Sequence, residues 1–420
     1  MKAIKLLRWV SVLVFCHAGV LITSATGFRL PDQDAFAAAR GEAFVATADN
    51  PSAVYYNPAG ITQLEGHNVR VGVYGLYIKP SYTSPDGRSF KSDRDLHAIP
   101  QLFYTFSPSD FPLSFGLGLY SPYGLSSRWP QDTGFRTVST EGTLTYYTIN
   151  PAVAWQATSR FSIAAGLTLN YAECDLRQGL VWPTQPLDEF KFKGDGVDAG
   201  YNLGLLYKVH DKVFLGATFR SPTTVDLDGR TEYFNAREIP GLIPAFPKQR
   251  VSAEAEFPFP LSAVFGISYR PTPNWNLEFD AEYTDWSRLN TVIVKQAAAF
   301  PPLIPQNVPL VLNWEPSWYY EFGATHYLND KWSISLGYIY NENSVPDATY
   351  SPLVADLDRH FFSVGAGFKH GQLKIDLAYQ FGYGPTRKVT GSAPSPTGQS
   401  VDGEFEFVSH AVMLSVGLRF

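Results

Sequence analysis

The sequence predicts an all-β fold: a transmembrane antiparallel β-barrel of about fourteen strands with an amino-terminal plug (hatch) inside its lumen. Three observations lead there. Apolar and polar residues alternate with period two over long stretches, the connections between those stretches are short and long by turns, and the chain opens on an export-type segment and closes on an alternating strand with a terminal aromatic residue. Composition agrees. Among 420 residues, Phe 30, Tyr 24, Gly 34 and Pro 31 stand against Met 2 and Cys 2, a balance of strand formers and turn breakers without coiled-coil bias. A mean hydropathy of -0.11 excludes a polytopic helical membrane protein. A net charge of -6, spread along the chain, offers no basic stripe to a nucleic acid.

Residues 1–25 read as a signal peptide. Lys2, Lys5 and Arg8 precede apolar runs from Trp9 to Phe15 and from Val20 to Ile22, and Thr23-Ser24-Ala25 supplies a cleavage tripeptide, so the mature chain is expected to start near Thr26. His17 interrupts the run too early for a spanning helix. Cys16 invites lipid attachment, but the bulky Phe15 before it suits that processing badly. Cys174 alone then remains, and the exported protein carries no intramolecular disulfide. Residues 26–65 do not alternate. Asp34 to Thr47 is rich in Ala, Arg and Glu, suited to short helices, and leads into Asn57-Pro58-Ala59-Gly60. A plug is favoured over a periplasmic tail because Phe36, Phe44, Val45, Val54, Tyr55 and Tyr56 would otherwise stand in water.

The barrel is expected over residues 66–420, its first strand running from Val69 to Ile78. Phe161, Ile163, Leu167, Leu169 and Tyr171 alternate with Ser162, Ala164, Thr168 and Asn170; Trp275, Leu277, Phe279, Ala281 and Tyr283 alternate with Asn276, Glu278, Asp280, Glu282 and Thr284. Leu373, Ile375, Leu377, Tyr379 and Phe381 repeat the pattern. A soluble sandwich would alternate identically, so periodicity leaves the solvent undecided. Connection lengths favour a membrane. Tight turns near 157–160, 209–212, 270–273, 328–331 and 369–372 take turns with long polar or Pro-rich connections near 79–97, 126–142, 176–197, 229–250, 285–313, 342–357 and 385–403. Short turns on one side and long loops on the other are the asymmetry of a bacterial outer-membrane barrel. The chain ends in an alternating strand, Val412 to Phe420, and closure is a physical demand, because an open sheet edge in hydrocarbon strands unpaired N–H and C=O groups.

At this point the sequence resembles the FadL-type outer-membrane transporters of long-chain fatty acids and other hydrophobic compounds. Gly27-Phe28, Asn57-Pro58-Ala59-Gly60, Ser121-Pro122-Tyr123-Gly124-Leu125, Asp285-Trp286-Ser287 and Ser344-Val345-Pro346-Asp347 look like family landmarks, in the family's order, over essentially the whole mature chain. The resemblance implies a protein of the Gram-negative outer membrane that takes up hydrophobic compounds passively, with long-chain fatty acids the expected cargo and aromatic or aliphatic hydrocarbons the alternative. Capture outside, transfer to a lumen pocket and sideways exit through the wall are likewise implied. Implied partners are the hydrophobic small molecule, outer-membrane lipid and lipopolysaccharide, and the barrel assembly machinery, for a chain acting as a monomer without cofactor or metal.

Candidate site residues follow. Pro122 has no N–H to donate and Gly124 tolerates bending, so Ser121-Pro122-Tyr123-Gly124 is expected to break the third strand. Gly27 and Phe28 are expected to touch the pocket. Leu242, Ile243 and Phe246 in one long connection, and Phe300, Leu303 and Ile304 in another, form apolar outer patches that either bind cargo or pack the loops together. Arg177, Arg220, Lys295 and Lys374 are candidate partners for a cargo carboxylate; the competing reading pairs them with Glu173, Glu278, Asp280 or Asp376. Against a fatty acid stands Glu173-Cys174-Asp175, where a basic residue would better suit an acid. No phosphate loop, Gly-x-Ser-x-Gly, His-Glu-x-x-His or metal cluster points to energised transport or catalysis, and the rival reading is a general diffusion porin.

Overall fold

The computed structural model describes residues 27–93, 96–300, 303–354 and 356–420; the reading of 1–25 as a signal peptide lies outside the described residues. Fourteen antiparallel strands form the barrel. The first six are Gly66–Ile78, Leu96–Ser107, Leu113–Tyr120 continuing as Gly124–Arg128, Glu141–Thr158, Phe161–Gln178 and Asp188–His210. Four strands built of two segments follow: Val213–Arg220 with Thr223–Asn235, Phe246–Phe259 with Ser262–Tyr269, Trp275–Thr284 with Thr291–Gln296, and Asn307–Val311 with Ser317–Tyr327. Trp332–Asn341, Arg359–His370, Leu373–Val389 and Gly403–Arg419 complete the set. The last strand pairs with the first from Asn68↔Arg419 to Ile78↔Ser409, which closes the sheet and removes its edges. The terminal Phe420 sits at that seam: its N–H donates to the His67 carbonyl at 2.9 Å and its ring stacks on the His67 ring.

Polarity is inverted relative to a soluble protein, which settles the ambiguity of the alternation. Asn276, Asp280 and Thr284 are fully buried in the lumen, whereas Trp275 and Leu277 of the same strand are 41% and 39% exposed on the outer wall. Outward Trp155, Trp275 and Trp332 mark the short-turn end, and Trp318, Tyr320 and Tyr340 stack near the other, two aromatic bands flanking an apolar belt.

Toward the long loops the strands run further than the sequence pattern suggests. Residues 229–250 and 285–313 were expected to be connections, yet strand structure continues to Asn235, resumes at Phe246, and includes Thr291–Gln296 and Asn307–Val311. The reason is a change of phase in polarity. Beyond the lipid belt the outward residues are charged, as at Lys191, Lys193, Asp226 and Asp228, and the inward ones are apolar, as at Phe190, Phe192, Val225 and Leu227. A charged outer face reads as loop in sequence, but here it faces the aqueous side of a wall.

The amino-terminal segment fills the lumen as a plug of short helices, Ala35–Ala39, Ala53–Tyr56 and the 3-10 turn Pro58–Gln63. Inward acids hold it. Asp280 accepts from the Phe44 and Val45 N–H groups at 2.8 Å each, and Glu278 accepts from Ala46 and Thr47 at 2.7 and 3.1 Å. Arg40 pairs with Glu278 at 3.1 Å, and Arg70 of the wall joins Asp34 of the plug to Asp376. A side chain at Gly216 or Gly337 would collide with the plug backbone at Val45 and Gly41, so the wall there can carry only glycine.

Candidate functional site

Above the plug lies an apolar cavity with about 1500 Å³ of free space, counting its opening to solvent. Phe28 forms part of its floor, Phe190, Phe192, Phe257 and Leu144 its sides, and Trp314 and Tyr350 contribute from the outer loops. Of the Glu173-Cys174-Asp175 run expected to disfavour an acid cargo, Cys174 faces this space.

The plug's first described residues connect that floor to the wall. Gly27 has φ +53°, and a Cβ there would sit 2.8 Å from the Trp286 ring and 2.9 Å from the Trp314 ring, so glycine is required twice over. Phe28 packs its ring 5.0 Å from Trp286, 5.6 Å from Trp314, 5.8 Å from Phe257 and Phe259, and 6.0 Å from Tyr123. Arg29 pairs with Glu282 of the ninth strand.

At the same place the barrel wall is interrupted. The second and third strands pair from Phe106↔Phe115 to Leu102↔Leu119, and no ladder between them continues outward among the described residues. Gly124–Arg128 instead pairs with the fourth strand, from Gly124↔Thr145 to Arg128↔Glu141. Between the two segments, the kink Ser121–Tyr123 turns its backbone to the plug. The Leu30 N–H donates to the Pro122 carbonyl at 2.8 Å, and the Gly124 N–H donates to the Phe28 carbonyl at 2.8 Å, flanking an Arg29↔Tyr123 bridge. Groups released from the sheet thus find partners inside, as a buried backbone requires.

The two apolar outer connections fold alike. Ile239↔Ile243 and Phe300↔Ile304 each close a tight turn, and the loops then pack together, with Phe300 4.4 Å from Phe246 and 5.0 Å from Tyr233, and Ile304 buried among them. Leu303 packs against this cluster, while Leu242 stays 66% exposed. Asn57-Pro58-Ala59-Gly60 lies away from the cavity. Asn57 donates to the Val45 and Leu205 carbonyls and caps Ala59, and a Cβ on Gly60 would strike Ala48, so the motif fastens the plug to the sixth strand.

Of the four candidate cations, only Arg177 borders the cavity, and it is held by Asp175 at 2.9 Å and Glu141 at 3.5 Å. Lys295 lies on the outer wall with Glu256 at 3.3 Å. Lys374 stands 3.8 Å from Asp376 and 4.1 Å from the centre of the Phe36 ring. Arg220 is partly buried beneath the kink and pairs with no acid among the described residues.

Over residues 17–420 the sequence matches the family described as "Outer membrane protein transport protein (OMPP1/FadL/TodX)". The chain belongs to this family. The "Long-chain fatty acid transport protein" of Escherichia coli (strain K12) is 22% identical over 418 residues, covering 89% of each chain. The "47 kDa outer membrane protein" of Pasteurella multocida is 25% identical over 376 residues, covering 82% of this chain and 84% of the relative. Among solved structures, a Pseudomonas aeruginosa FadL homologue superposes with a TM-score of 0.82 at 19% identity, covering 94% of this chain and 100% of its own. The Pseudomonas putida toluene transporter TodX does so at 0.74 and 17%, with the same coverage. At such identities the superpositions establish the fold. As an OMPP1/FadL/TodX member, the protein is a passive transporter of hydrophobic compounds in the Gram-negative outer membrane, and not an enzyme.

Inside this FadL-type barrel, sequence reasoning missed the ring cage of Trp286 and Trp314 and the Arg29–Glu282 pair. Asp285-Trp286-Ser287 stood out as a landmark, but nothing local shows that a residue near 286 meets residue 27. The plug carries a further buried acid, Glu42. Burial and the neighbouring Asp32 push its carboxyl well above the usual carboxylate range, and the Tyr56 hydroxyl donates to it.

Proposed function

We propose that the protein takes up long-chain fatty acids by capture at the Leu242/Phe300 loops, transfer into the apolar cavity, and sideways exit through the third-strand kink into the bilayer. The observation that carries this reading is the ladder ending at Leu102↔Leu119, where Pro122 and Gly124 bond to the plug rather than to the second strand. A segment held by two backbone bonds, one ring cage and side-chain contacts such as the Arg29–Glu282 pair can leave without unzipping the barrel, since none of these belongs to the strand ladders. No energy source is needed, because an apolar pocket and lipid tails each stabilise a chain by ~0.8 kcal/mol per methylene relative to water, so transfer between them is nearly level. The names of the Escherichia coli relatives support an acid cargo. A neutral hydrocarbon is the second reading, favoured by the acid-bound state of Arg177, the only candidate cation at the cavity. Gly124→Leu tests the route: palmitate uptake by cells producing the assembled variant falls if cargo leaves at the kink, and unchanged uptake argues against it.

A further inference from the structure

A second, smaller space lies directly behind the kink. It is a narrow space, about 250 Å³ only when its opening to the surroundings is counted, and is bounded on one side by Pro122 and Tyr123. Its other walls carry the hydroxyls of Thr148, Thr168, Ser221 and Thr223, the Asn170 amide, and one charged group, Arg220; no carboxylate lines it. The nearby acid, Asp198, accepts from the Asn170 amide at 2.7 Å.

Arg220 differs from the other arginines of the interior. Arg29 pairs with Glu282, Arg40 with Glu278, Arg70 with Asp34 and Asp376, Arg136 with Asp188, and Arg359 with Asp356. Arg220 has no ion pair among the described residues. It donates to the Tyr120 hydroxyl at 3.0 Å and the Tyr55 carbonyl at 3.3 Å, and its guanidinium lies 4.6 Å from the centre of the Tyr55 ring and 5.7 Å from that of Tyr120. Ring faces compensate a cation only partly, and two neutral acceptors leave guanidinium N–H groups to spare. Arg220 also borders a cavity on the plug side that Glu42, Glu282 and Glu321 share, but Glu282 is taken by Arg29 and Glu42 accepts from Tyr56. On the side toward the kink the nearby acid, Asp198, does not itself line the chamber and accepts from the Asn170 amide.

We infer that Arg220 and this chamber form an anion-receptive station at the exit, where the carboxylate of an amphipathic acid is held while its chain passes from the cavity into the bilayer. The inference rests on the sideways-exit reading and adds to it a residue that determines cargo class. The tyrosine rings stabilise the empty guanidinium, and an arriving carboxylate adds charge-assisted hydrogen bonds that a hydrocarbon of equal length cannot make. As it stands the chamber is no larger than about one water molecule, so a carboxylate enters it only when the plug's first residues move off the kink, and it then acts on the acid end alone.

The test compares initial uptake of radiolabelled palmitate and hexadecane by cells that lack other transporters of this kind and produce the full chain, with assembly checked by heat-modifiable migration. Arg220→Gln should lower palmitate uptake roughly tenfold or more, the size of one lost charge-assisted interaction, and leave hexadecane uptake unchanged. Arg220→Lys should fall between, since an ammonium keeps the charge but not the planar fork. Should Arg220→Gln fail to assemble, Thr168→Asp places a carboxylate in the chamber and should reproduce the selective loss. Equal loss of both cargoes in an assembled variant, or undiminished palmitate uptake, overturns the station. Loss of neither cargo in Gly124→Leu overturns the exit route instead, and the two failures are read from different variants.

Discussion

Phe28→Ala removes the ring that anchors the start of the plug, and its effect can be worked out from the cage around it. Phe28 is 3% exposed and meets five aromatic rings. Truncating a buried phenylalanine costs ~3–5 kcal/mol. What remains to hold the segment includes the buried Arg29–Glu282 pair, the Arg29 contacts with Tyr55 and Tyr319, the hydrogen bond from the Gln33 side-chain amide to the Ser121 carbonyl, and two backbone hydrogen bonds to the kink worth about 1 kcal/mol each. Loss of the ring alone, at ~3 kcal/mol, corresponds to a change of roughly a hundredfold in the opening equilibrium. Hydrogen exchange in detergent, followed at the Leu30 and Gly124 amides that donate across the junction, should speed up by about that factor. Barrel unfolding should be unchanged, because the closing ladder from Asn68↔Arg419 to Ile78↔Ser409 does not involve this residue. Undiminished protection at both amides would refute the claim that the ring cage, rather than the rest of the plug, fixes this segment.

Asp280→Ala should leave the Phe44 and Val45 N–H groups without their acceptor, at a cost of ~1–3 kcal/mol for each unsatisfied group, and exchange at those two amides should accelerate while Ala59 stays protected by Asn57. For Glu42 the raised native carboxyl means that the plug binds the proton more tightly than the unfolded chain does, so plug stability falls as pH rises above the ordinary carboxylate value of 4.5. Exchange over residues 36–48 should accordingly quicken between acid and neutral pH, and in Glu42→Gln that part of the pH dependence should vanish.

Much of the fold was legible because a barrel writes itself into every strand. Trp275 to Thr284 gave its greasy and acidic faces at once, but which face met solvent emerged only from the alternation of short and long connections. The third-strand break was legible through Pro122 and Gly124, whose backbone chemistry is local. The outer strand extensions were not, since Lys191, Lys193, Asp226 and Asp228 carry charge on the face that lipid would occupy lower down. Arg220 could be picked out as a cation near a strand end, yet its lack of an acid partner depends on Tyr55 and Tyr120, far away in sequence. The same holds for Gly27, whose constraint is set by Trp286 and Trp314.

The account turns on the plug's first residues leaving the kink so that cargo can pass. Arg29 and Tyr123 form a bridge pair, and Cα atoms so paired lie ~4.5–5.5 Å apart, within disulfide reach. Arg29→Cys with Tyr123→Cys, in a Cys174→Ser background, therefore allows the segment to be locked and released in one protein. Palmitate uptake should stop in the oxidised, fully cross-linked protein and return on reduction; equal uptake in the two states would contradict exit at the kink.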